Sequence, residues 1–438
     1  MKFQQGTRSW GEALRVYSRP EVVRMLFLGF SAGLPLLLVF STLTAWLQDL
    51  DVSRTSIGFF GWVGITYSIK VFWAPVVDRI RIPWLTEKFG QRRSWILMGQ
   101  LGIMLGLVAM VLVDPKASLS NFAICAVIVA FSSSTQDVAI DAFRIESAAD
   151  EMQGALAAGY QFGYRSAMLV AGAGALYIAD IYSWNTAYFF MAALMFVGIG
   201  TVLVIPEPVR DDKDKPKSIK SEKTGKWDRL IHWFQVAFMA PFIEFFKRNG
   251  SYALIILTFI AVFRLSDIAM GIMANPFYLD MGFTKTEIAS ISKIFGFFMT
   301  LLGAFLGGLC VVRYGAHRPL LLAAGLTAVT NLLFVNLANM GHDINGLVMA
   351  ISADNISGGF AGAVFIAYLS SLTNRAFTAT QYALFTSLMT LPGKFFSGFS
   401  GIIVDATSYQ VFFTYAALMG IPAIVLSWML WKKAGHAT

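Results

Sequence analysis

The sequence has few charged residues for its length. Asp, Glu, Lys and Arg make up 14% of its 438 residues, whereas hydrophobic residues make up 56%. Charged residues normally form about a quarter of a soluble globular chain, so this composition would expose too much apolar surface to water. The composition therefore excludes an ordinary soluble protein and favours an α-helical membrane protein.

Cysteine and histidine are also scarce, which excludes several kinds of site. The two cysteines, Cys125 and Cys310, lie far apart in apolar runs, and no CxxC pair indicates a disulfide framework or a metal site. The four histidines fall in loops or tails, which disfavours a haem or di-metal membrane enzyme. A phosphate-binding GxxxxGKS or GxxxxGKT loop is absent, so the chain is not an ATP-driven pump on its own. We expect no metal and no cofactor.

Long hydrophobic runs are abundant. About 20 apolar residues cross the ~30 Å hydrocarbon core as a helix. Runs of this size occupy residues 24–48, 56–78, 94–113, 119–143, 153–179, 184–205, 250–279, 286–311, 318–338, 345–372, 380–404 and 410–431. Spans this long must be helices, so the predicted fold class is an all-α membrane protein of twelve helices. We interpret the first run as an uncleaved helix because no signal-peptide cleavage pattern precedes it.

The distribution of positive charge predicts the orientation. Twelve spans place both termini on one side, and nearly all of the Lys and Arg residues outside the spans fall on that side. The opposite loops carry only Arg54, Lys116 and Lys285. The positive-inside rule then makes both termini cytoplasmic in a bacterial inner membrane. The net charge of +8 is thereby explained by the anionic leaflet, without nucleic acid.

The chain divides into two similar halves. Residues 1–205 and 250–438 each hold six spans, and 206–249 is a charged linker that ends in an aromatic segment, for which we expect an interfacial helix. DIYSWNTAYFFMAALM at 180–195 resembles DATSYQVFFTYAALM at 405–419. Two six-helix repeats around a central cytoplasmic loop are the organisation of the major facilitator superfamily, with a fold that works by alternating access. We expect a monomer.

The loop after the second span of each half carries a recurring basic pattern. In the first half, Asp78-Arg79 is followed by Gly90-Gln91-Arg92-Arg93, and in the second, Gly307-Gly308 is followed by Arg313 and Arg318. These loops resemble the basic loop motif of the superfamily, which implies an inter-helix latch for one gating state. Ordinary positive-inside charge is the alternative explanation. The predicted gating residues are Asp78, Arg79, Arg92, Arg93, Arg144, Arg313 and Arg318.

Charged residues inside the spans mark candidate sites, because a mid-membrane charge costs roughly 2.5–3.5 kcal/mol and usually lines a polar path or has a partner. The set is Lys70, Asp137, Asp141, Arg165, Arg264, Asp267, Lys293, Asp354 and Lys394. Asp137 and Asp141 share one helix face with Arg144, so they are candidates for proton coupling or gating. Pairing of Asp141 and Arg144 with the basic loop is the alternative. Asp354 and Asp267 are the second-half candidates for protonation.

Cations near the membrane midplane are candidates for binding an anion. Arg165 in the fifth span and Lys394 in the eleventh have comparable depth in repeat-related helices, and Lys70 is also deep. Salt bridges to Asp137 or Asp354 are the alternative for the first two. Arg264 either binds substrate or neutralises Asp267 one turn away, and Lys293 is shallow enough to snorkel. Three tyrosines on these spans could stack on sugar rings: Tyr160, Tyr164 and Tyr278.

Several stretches together resemble one family. These are GFSAGLPLLL in the first span, FWAPVVDR and GQRRSW around the next loop, STQDVAIDA in the fourth span, GYRSAMLVAGAGALYIAD in the fifth, and Pro206-Glu207-Pro208. NRAFTATQYALFTSLMTLPGKFFSG contributes in the second half. The set resembles the AmpG-type muropeptide permeases of the major facilitator superfamily. The QD-x-x-x-D-A element, with Gln136 as a further candidate for substrate binding, is the more specific part.

The resemblance implies a function. It implies proton-driven import of N-acetylglucosaminyl-1,6-anhydro-N-acetylmuramyl peptides from periplasm to cytoplasm for cell-wall recycling, with a link to β-lactamase induction in some bacteria. By resemblance, Asp137 and Asp141 are the family's acidic positions in the fourth helix. Some family members carry further hydrophobic segments after the twelfth span, where this sequence stops.

Other functions stay open at this stage. Siderophore importers and acetyl-CoA carriers share parts of the pattern, so a siderophore or an acyl-CoA-like anion is the nearest alternative substrate. A membrane sensor or transferase is a further alternative. A transferase should cluster catalytic residues at one membrane face, whereas the unusual ionisable residues here lie mid-span. We therefore predict a transporter and not an enzyme.

Overall fold

Twelve helical spans form the protein, as seen in a computed structural model that describes residues 10–52, 60–208, 226–284, 287–397 and 400–436. We number them in chain order. Spans 1 to 6 are Pro20–Asp49, 60–79, Gln91–Leu112, Leu119–Ser147, 153–181 and Trp184–Val204. Spans 7 to 12 are Tyr252–Asp280, Ile288–Tyr314, His317–Met340, Ile344–Leu372, 378–406 and Tyr409–Lys433. The predicted class, two six-helix halves, is confirmed.

Three spans are less regular or less apolar than the others. Span 2 is a series of short helices, Gly61–Gly64, Ile65–Ser68, Lys70–Phe72 and Ala74–Arg79. Span 5 contains a π-helical turn at Val170–Gly174. Span 11 is Thr378–Ser397 followed by Ser400–Ala406. Polar residues and glycine interrupt these three helices, and such interruptions are tolerated in a membrane where the backbone lines a protein interior or a cavity.

Spans 1 and 7, which are repeat-related, are both broken. In span 1 the helix Pro20–Leu38 gives way to Ser41–Asp49 through Phe40, with φ −123° and ψ −109°. In span 7 the helix Tyr252–Phe263 ends at Arg264, and Leu265–Asp280 follows. A break of this kind frees backbone groups, which a membrane protein tolerates where neighbouring helices or a cavity satisfy them.

The repeat seen in the sequence is also a structural repeat. Ser183 and Ser408 cap the first turns of spans 6 and 12 by accepting hydrogen bonds from Thr186 N and Val411 N. The residue after each cap then binds the end of the first span of its half. Trp184 Nε1 donates to Asp49 Oδ2 at 2.9 Å, and Tyr409 Oη donates to Asp280 Oδ2 at 2.6 Å.

Glycine allows two repeat-related helix pairs to pack closely. A Cβ at Gly29, Gly33 or Gly163 would collide with backbone across the contact between spans 1 and 5. A Cβ at Gly303 or Gly359 would collide across the contact between spans 8 and 10. Small residues of this kind let membrane helices approach until their backbones are in contact.

Gly163→Ala is expected to lower stability, because the new Cβ would overlap the carbonyl oxygen of Leu26. Overpacking of this kind typically costs roughly 1–3 kcal/mol. Gly325→Ala is the matched control, because a Cβ there meets open space within span 9. Thermal unfolding in detergent should give a lower midpoint for Gly163→Ala and no decrease for Gly325→Ala. Equal midpoints for the two variants would contradict the close-packing account.

The linker between the halves contributes one helix to the described structure, Lys226–Asn249. Its later part packs against the start of span 7, the start of span 11 and the short helix Ala74–Arg79. Phe245 is fully buried there, with its ring 5.3 Å from that of Phe385. The linker helix is therefore attached to both halves.

Candidate functional site

A cavity of about 640 Å³ lies between the two halves at mid-depth. Spans 1, 2, 4 and 5 line it from the first half, and spans 7, 8, 10 and 11 line it from the second. Its charged lining residues are Lys70, Asp137, Asp141, Arg165, Arg264, Asp267 and Asp354. The structure thus places seven of the nine mid-membrane charges identified in the sequence on one surface.

The first half contributes a cation and two carboxylates. Asp137 and Asp141 project from one face of span 4, and Lys70 of span 2 interacts electrostatically with both. Asp141 also pairs with Arg144 at 3.5 Å. Asp137 Oδ1 is buried, and no hydrogen-bond donor among the described residues reaches it. A buried oxygen without a donor is costly as part of a charged carboxylate, so Asp137 is the group here that gains most from holding a proton.

The second half contributes a similar set. Arg264 stands at the break in span 7, and its Nε lies 3.4 Å from Asp267 Oδ2. Asp354 of span 10 interacts electrostatically with both residues. The neutralising pair that was one of the two explanations for Arg264 and Asp267 is therefore present. Both side chains also reach the cavity, so pairing and substrate contact are compatible.

Arg165 is a further cation of the same cavity. It projects from span 5 into the cavity, and it interacts electrostatically with Arg264 of the opposite half. Two guanidinium groups that face one cavity from opposite halves repel each other when the cavity is empty. A carboxylate or phosphate between them would be attracted to both, with the paired geometry that guanidinium groups favour.

Four tyrosines contribute ring faces to the wall. Tyr160 and Tyr164 line the cavity one helical turn apart, with ring centroids separated by 5.8 Å. Tyr67 and Tyr382 line it from spans 2 and 11. Flat apolar faces next to charged groups suit a ligand that has both sugar rings and ionised groups.

Three further candidates lie away from this surface, and the side chain of a fourth is outside the described part of the structure. Gln136 is buried between helices, where its amide binds Ser31 at 3.0 and 3.1 Å. Tyr278 is buried in an aromatic cluster with Phe277. Lys293 belongs to the π-helical start of span 8, outside the cavity lining. Lys394 lies on span 11, but its side chain is outside the described part of the structure.

A buried ionic network lies below the cavity, on the side of the bundle where span 1 begins and span 12 ends, here called the termini side. Arg92 is completely buried, and its Nη2 lies 2.7 Å from Asp78 Oδ1 and 2.8 Å from Glu146 Oε1. Asp78 also accepts hydrogen bonds from Ala379 N at 3.0 Å and from Thr380 N at 2.8 Å. These amides are at the start of span 11, so Asp78 joins the two halves through a helix N-terminus. We call this network the latch.

A second layer joins the halves next to the latch. Arg144 Nη1 donates to Ser370 Oγ of span 10 at 2.8 Å and to Gln153 Oε1 at 3.0 Å. Its guanidinium carbon lies 5.2 Å from the centroid of the Tyr382 ring. Arg375 completes the layer with a hydrogen bond to the carbonyl of Ala148 at 3.3 Å. The contacts of Arg144 support the gating position predicted for it.

The other predicted gating residues have less central positions. Arg93 donates to the carbonyls of Val202 and Leu203 at the end of span 6, and Arg79 lies over the Phe377 ring at 5.7 Å. In the second half, Arg313 lies over the Tyr314 ring at 5.1 Å and Arg318 is exposed on span 9. These two flank the repeat-related loop, and Arg313 follows Val312 as Arg79 follows Asp78. That copy has no acid in the place of Asp78, which explains why the latch acceptor comes from the first half.

The sequence interpretation missed Glu146, which completes the latch. Glu146 follows Asp141 by five residues and lies at the end of span 4. An acidic residue there, two positions after Arg144, was interpreted as part of the loop between spans 4 and 5. Its side chain is 1% exposed. The available signal was the excess of basic over acidic residues in the loop after span 2, since a buried arginine requires carboxylate partners.

The contacts show which side is closed. On span 4, Arg144 of the second layer lies nearer the termini side than the cavity residues Asp137 and Asp141. The same order holds on span 5, where Gly154 packs against Val311 and Tyr160 lines the cavity. The halves therefore meet between the cavity and the termini side, which closes the cavity there.

Sequence similarity to known proteins identifies the family. The sequence model of the Major Facilitator Superfamily matches residues 25–396. The anhydromuropeptide permease of Escherichia coli (strain K12) is 32% identical over 94% of this chain and 80% of its own length. AmpG 4 of Rickettsia felis, named as a transporter, is 32% identical over 96% of this chain and 98% of its own length. The chain belongs to the AmpG-type family of the Major Facilitator Superfamily.

Solved structures agree with this family in fold. The fucose:proton symporter FucP in its outward conformation matches with a TM-score of 0.68 at 14% identity, covering 95% of this chain and 99% of FucP. The proton:xylose symporter XylE matches with a TM-score of 0.64 at 14% identity, covering 96% of each chain. At this identity the likeness establishes the fold alone. Because the chain belongs to this transporter family and has long apolar helices, it is a multi-pass membrane transporter of a small molecule and not an enzyme, as predicted.

Proposed function

We propose that this transporter imports anhydromuropeptides, which are GlcNAc-1,6-anhydroMurNAc peptides, from periplasm to cytoplasm with protons, by alternating access. The observation that carries the proposal is the cavity of about 640 Å³ between the halves, which combines cations, carboxylates and tyrosines. The 32% identity to an anhydromuropeptide permease over 94% of this chain supports the choice of substrate.

The chemistry of the ligand fits the distribution of cavity residues. A muropeptide carries two sugar rings and the carboxylates of its peptide stem. Tyr160 and Tyr164 offer ring faces to the sugars. Arg165 and Arg264, from opposite halves, offer charge-assisted hydrogen bonds to a stem carboxylate. Arg264 was itself a predicted substrate residue, and Lys394 of span 11 stays a second candidate from that half.

The proposed direction rests on the charge distribution. Both termini and the basic loops lie on the termini side, which the positive-inside rule makes cytoplasmic. The closed side is then the cytoplasmic side of an inner-membrane protein. Substrate would enter from the periplasm, and opening of the latch would release it to the cytoplasm.

Asp137 is the proposed proton carrier, because its buried Oδ1 has no donor within the described residues while Asp141 has Arg144. Asp137→Asn should abolish gradient-driven accumulation, leaving exchange of substrate across the membrane within about threefold of wild type, because the amide resembles the protonated acid. Asp180→Asn, on an exposed residue, is the control. Full accumulation by Asp137→Asn would remove this residue from the coupling role.

Counterflow in proteoliposomes tests the substrate class without an imposed gradient. Vesicles loaded with unlabelled anhydro-disaccharide tripeptide should take up the labelled compound, and vesicles loaded with a ferric siderophore or an acyl-CoA should not. Counterflow of a siderophore or acyl-CoA, with none of the muropeptide, would keep the transporter and replace the substrate.

A further inference from the structure

The start of the linker binds the backbone at Arg92, the arginine of the latch. Glu207, three residues after span 6, accepts hydrogen bonds from Arg92 N at 2.7 Å and from Arg93 N at 3.1 Å. A carboxylate at these amides caps the N-terminus of span 3. Gly90, at φ 90°, makes room for it, because a Cβ there would collide with the Glu207 side chain. Burial raises the pKa of Glu207, and these two hydrogen bonds oppose the rise.

The end of the linker binds the turn before span 11 and the start of that span, which donates the amides of the latch. Glu244 of the linker helix accepts from Asn374 Nδ2 and from Gln381 Nε2, both at 2.7 Å. Gln381 is buried, and its Nε2 also donates to the carbonyl of Pro241 at 2.9 Å. Arg248, paired with Glu244 at 2.9 Å, donates to the carbonyl of Leu372 at 2.7 Å. The linker helix therefore holds the turn between spans 10 and 11.

The two attachments meet at the same element. Thr380, whose amide and hydroxyl bind Asp78, precedes Gln381, whose side chain binds Glu244. Arg92, whose side chain binds Asp78, has its amide bound by Glu207. Glu207 thus holds the backbone at Arg92, and Glu244 holds the residue that follows Thr380. Both attachments are made by carboxylates of the linker.

We propose that the two described ends of the linker belong to the latch and that Glu207 and Glu244 are positioning residues. Glu207 fixes the backbone at Arg92 and Glu244 fixes the start of span 11, so that both stay within reach of Asp78. This rests on the alternating-access part of the proposed function and is independent of the substrate. Loss of either carboxylate would loosen one of these two attachments while leaving Asp78 and Arg92 chemically intact. The closed termini side would then be populated less.

Distances between spin labels at Arg81 and Lys432, one exposed residue in each half, measure opening of the termini side in the full-length protein. Glu207→Gln and Glu244→Gln should each raise the ratio of open to closed protein by about tenfold, the effect of one charge-assisted hydrogen bond. Glu87→Gln, an exposed glutamate in the loop after span 2, is the matched control and should change nothing. Asp78→Asn opens the latch directly and is the positive control.

The combination with Asp78→Asn separates positioning from general loosening. If the linker acts through the latch, adding Glu244→Gln to Asp78→Asn should open the termini side by less than about threefold more, because coupled residues are not additive. Unchanged distances in both linker variants, with an open Asp78→Asn, would overturn the proposal. A full tenfold addition would overturn it as well. No opening by Asp78→Asn itself would show that Asp78 does not hold the termini side closed and would overturn the proposal, and substrate identity is tested separately by counterflow.

Where a linker variant is too unstable for labelling, hydrogen exchange at the start of span 11 gives a second measurement. The amides of Ala379 and Thr380 should exchange faster in Glu244→Gln than in Glu87→Gln. Equal exchange in these two variants would also overturn the proposal.

Discussion

Arg165→Gln is expected to lower the efficiency of muropeptide uptake by about 30-fold or more. Truncating one partner of a desolvated charge pair costs roughly 2–5 kcal/mol. Arg165 projects into the cavity, and within the described residues no carboxylate pairs with it at salt-bridge distance, so its charge is available for a substrate anion. The measurement is the initial rate of uptake into proteoliposomes as a function of substrate concentration.

The effect of Arg165→Gln should depend on the charge of the substrate. A muropeptide with amidated stem carboxylates should be transported poorly by the wild type, and Arg165→Gln should reduce its transport little further. Arg81→Gln removes an exposed arginine and should leave both substrates unaffected. Equal losses of Arg165→Gln for the charged and the amidated substrate would show that Arg165 supports the fold and does not bind the carboxylate.

Arg92→Gln is expected to be the most destabilising single change in the latch. The Arg92 side chain is 0% exposed, and its partners Asp78 and Glu146 are 2% and 1% exposed. Removing one member of a buried ionic group leaves uncompensated charge and costs roughly 3–5 kcal/mol. Thermal unfolding in detergent should show a much lower midpoint. Arg93→Gln, which loses hydrogen bonds to backbone carbonyls and a ring contact with Phe89 on a partly exposed side chain, should show a smaller decrease.

A compensated variant tests the reason for that loss. Arg92→Gln combined with Asp78→Asn and Glu146→Gln has no buried charge in the latch, so part of the lost stability should return. The latch should stay open, because the Asp78→Asn change replaces a carboxylate acceptor with a neutral amide opposite the backbone N–H groups of Ala379 and Thr380. A midpoint for the triple variant below that of Arg92→Gln would contradict the electrostatic explanation.

The charged residues of the cavity could be predicted from the sequence, because burying any charged side chain in a membrane costs free energy. Asp137 and Asp141 were placed on one face by their spacing of four residues, and both line the cavity. Gln136, a candidate because it belongs to the QD-x-x-x-D-A element, faces Ser31 of span 1 and is not part of the cavity lining. Helical periodicity alone does not say which of two adjacent polar residues faces a cavity.

Long-range contacts were beyond the sequence interpretation. Arg264 stands at the break in span 7 and interacts with Arg165 of the other half, a contact between residues 99 positions apart that no local pattern predicts. The loop pattern indicated a latch but gave no sign that span 11 supplies its amide donors, since backbone amides carry no residue signature. Glu207 and Glu244 were hidden for a related reason, because charged residues in a linker normally read as solvated.

Accumulation of labelled anhydro-disaccharide tripeptide in proteoliposomes, with and without an imposed inward proton gradient, tests the central claim most directly. The account predicts that the gradient drives uptake above the external concentration, and that a protonophore reduces it to equilibration. Folded protein that equilibrates the muropeptide equally with and without the gradient would contradict proton coupling, and folded protein that does not transport it at all would contradict the proposed substrate.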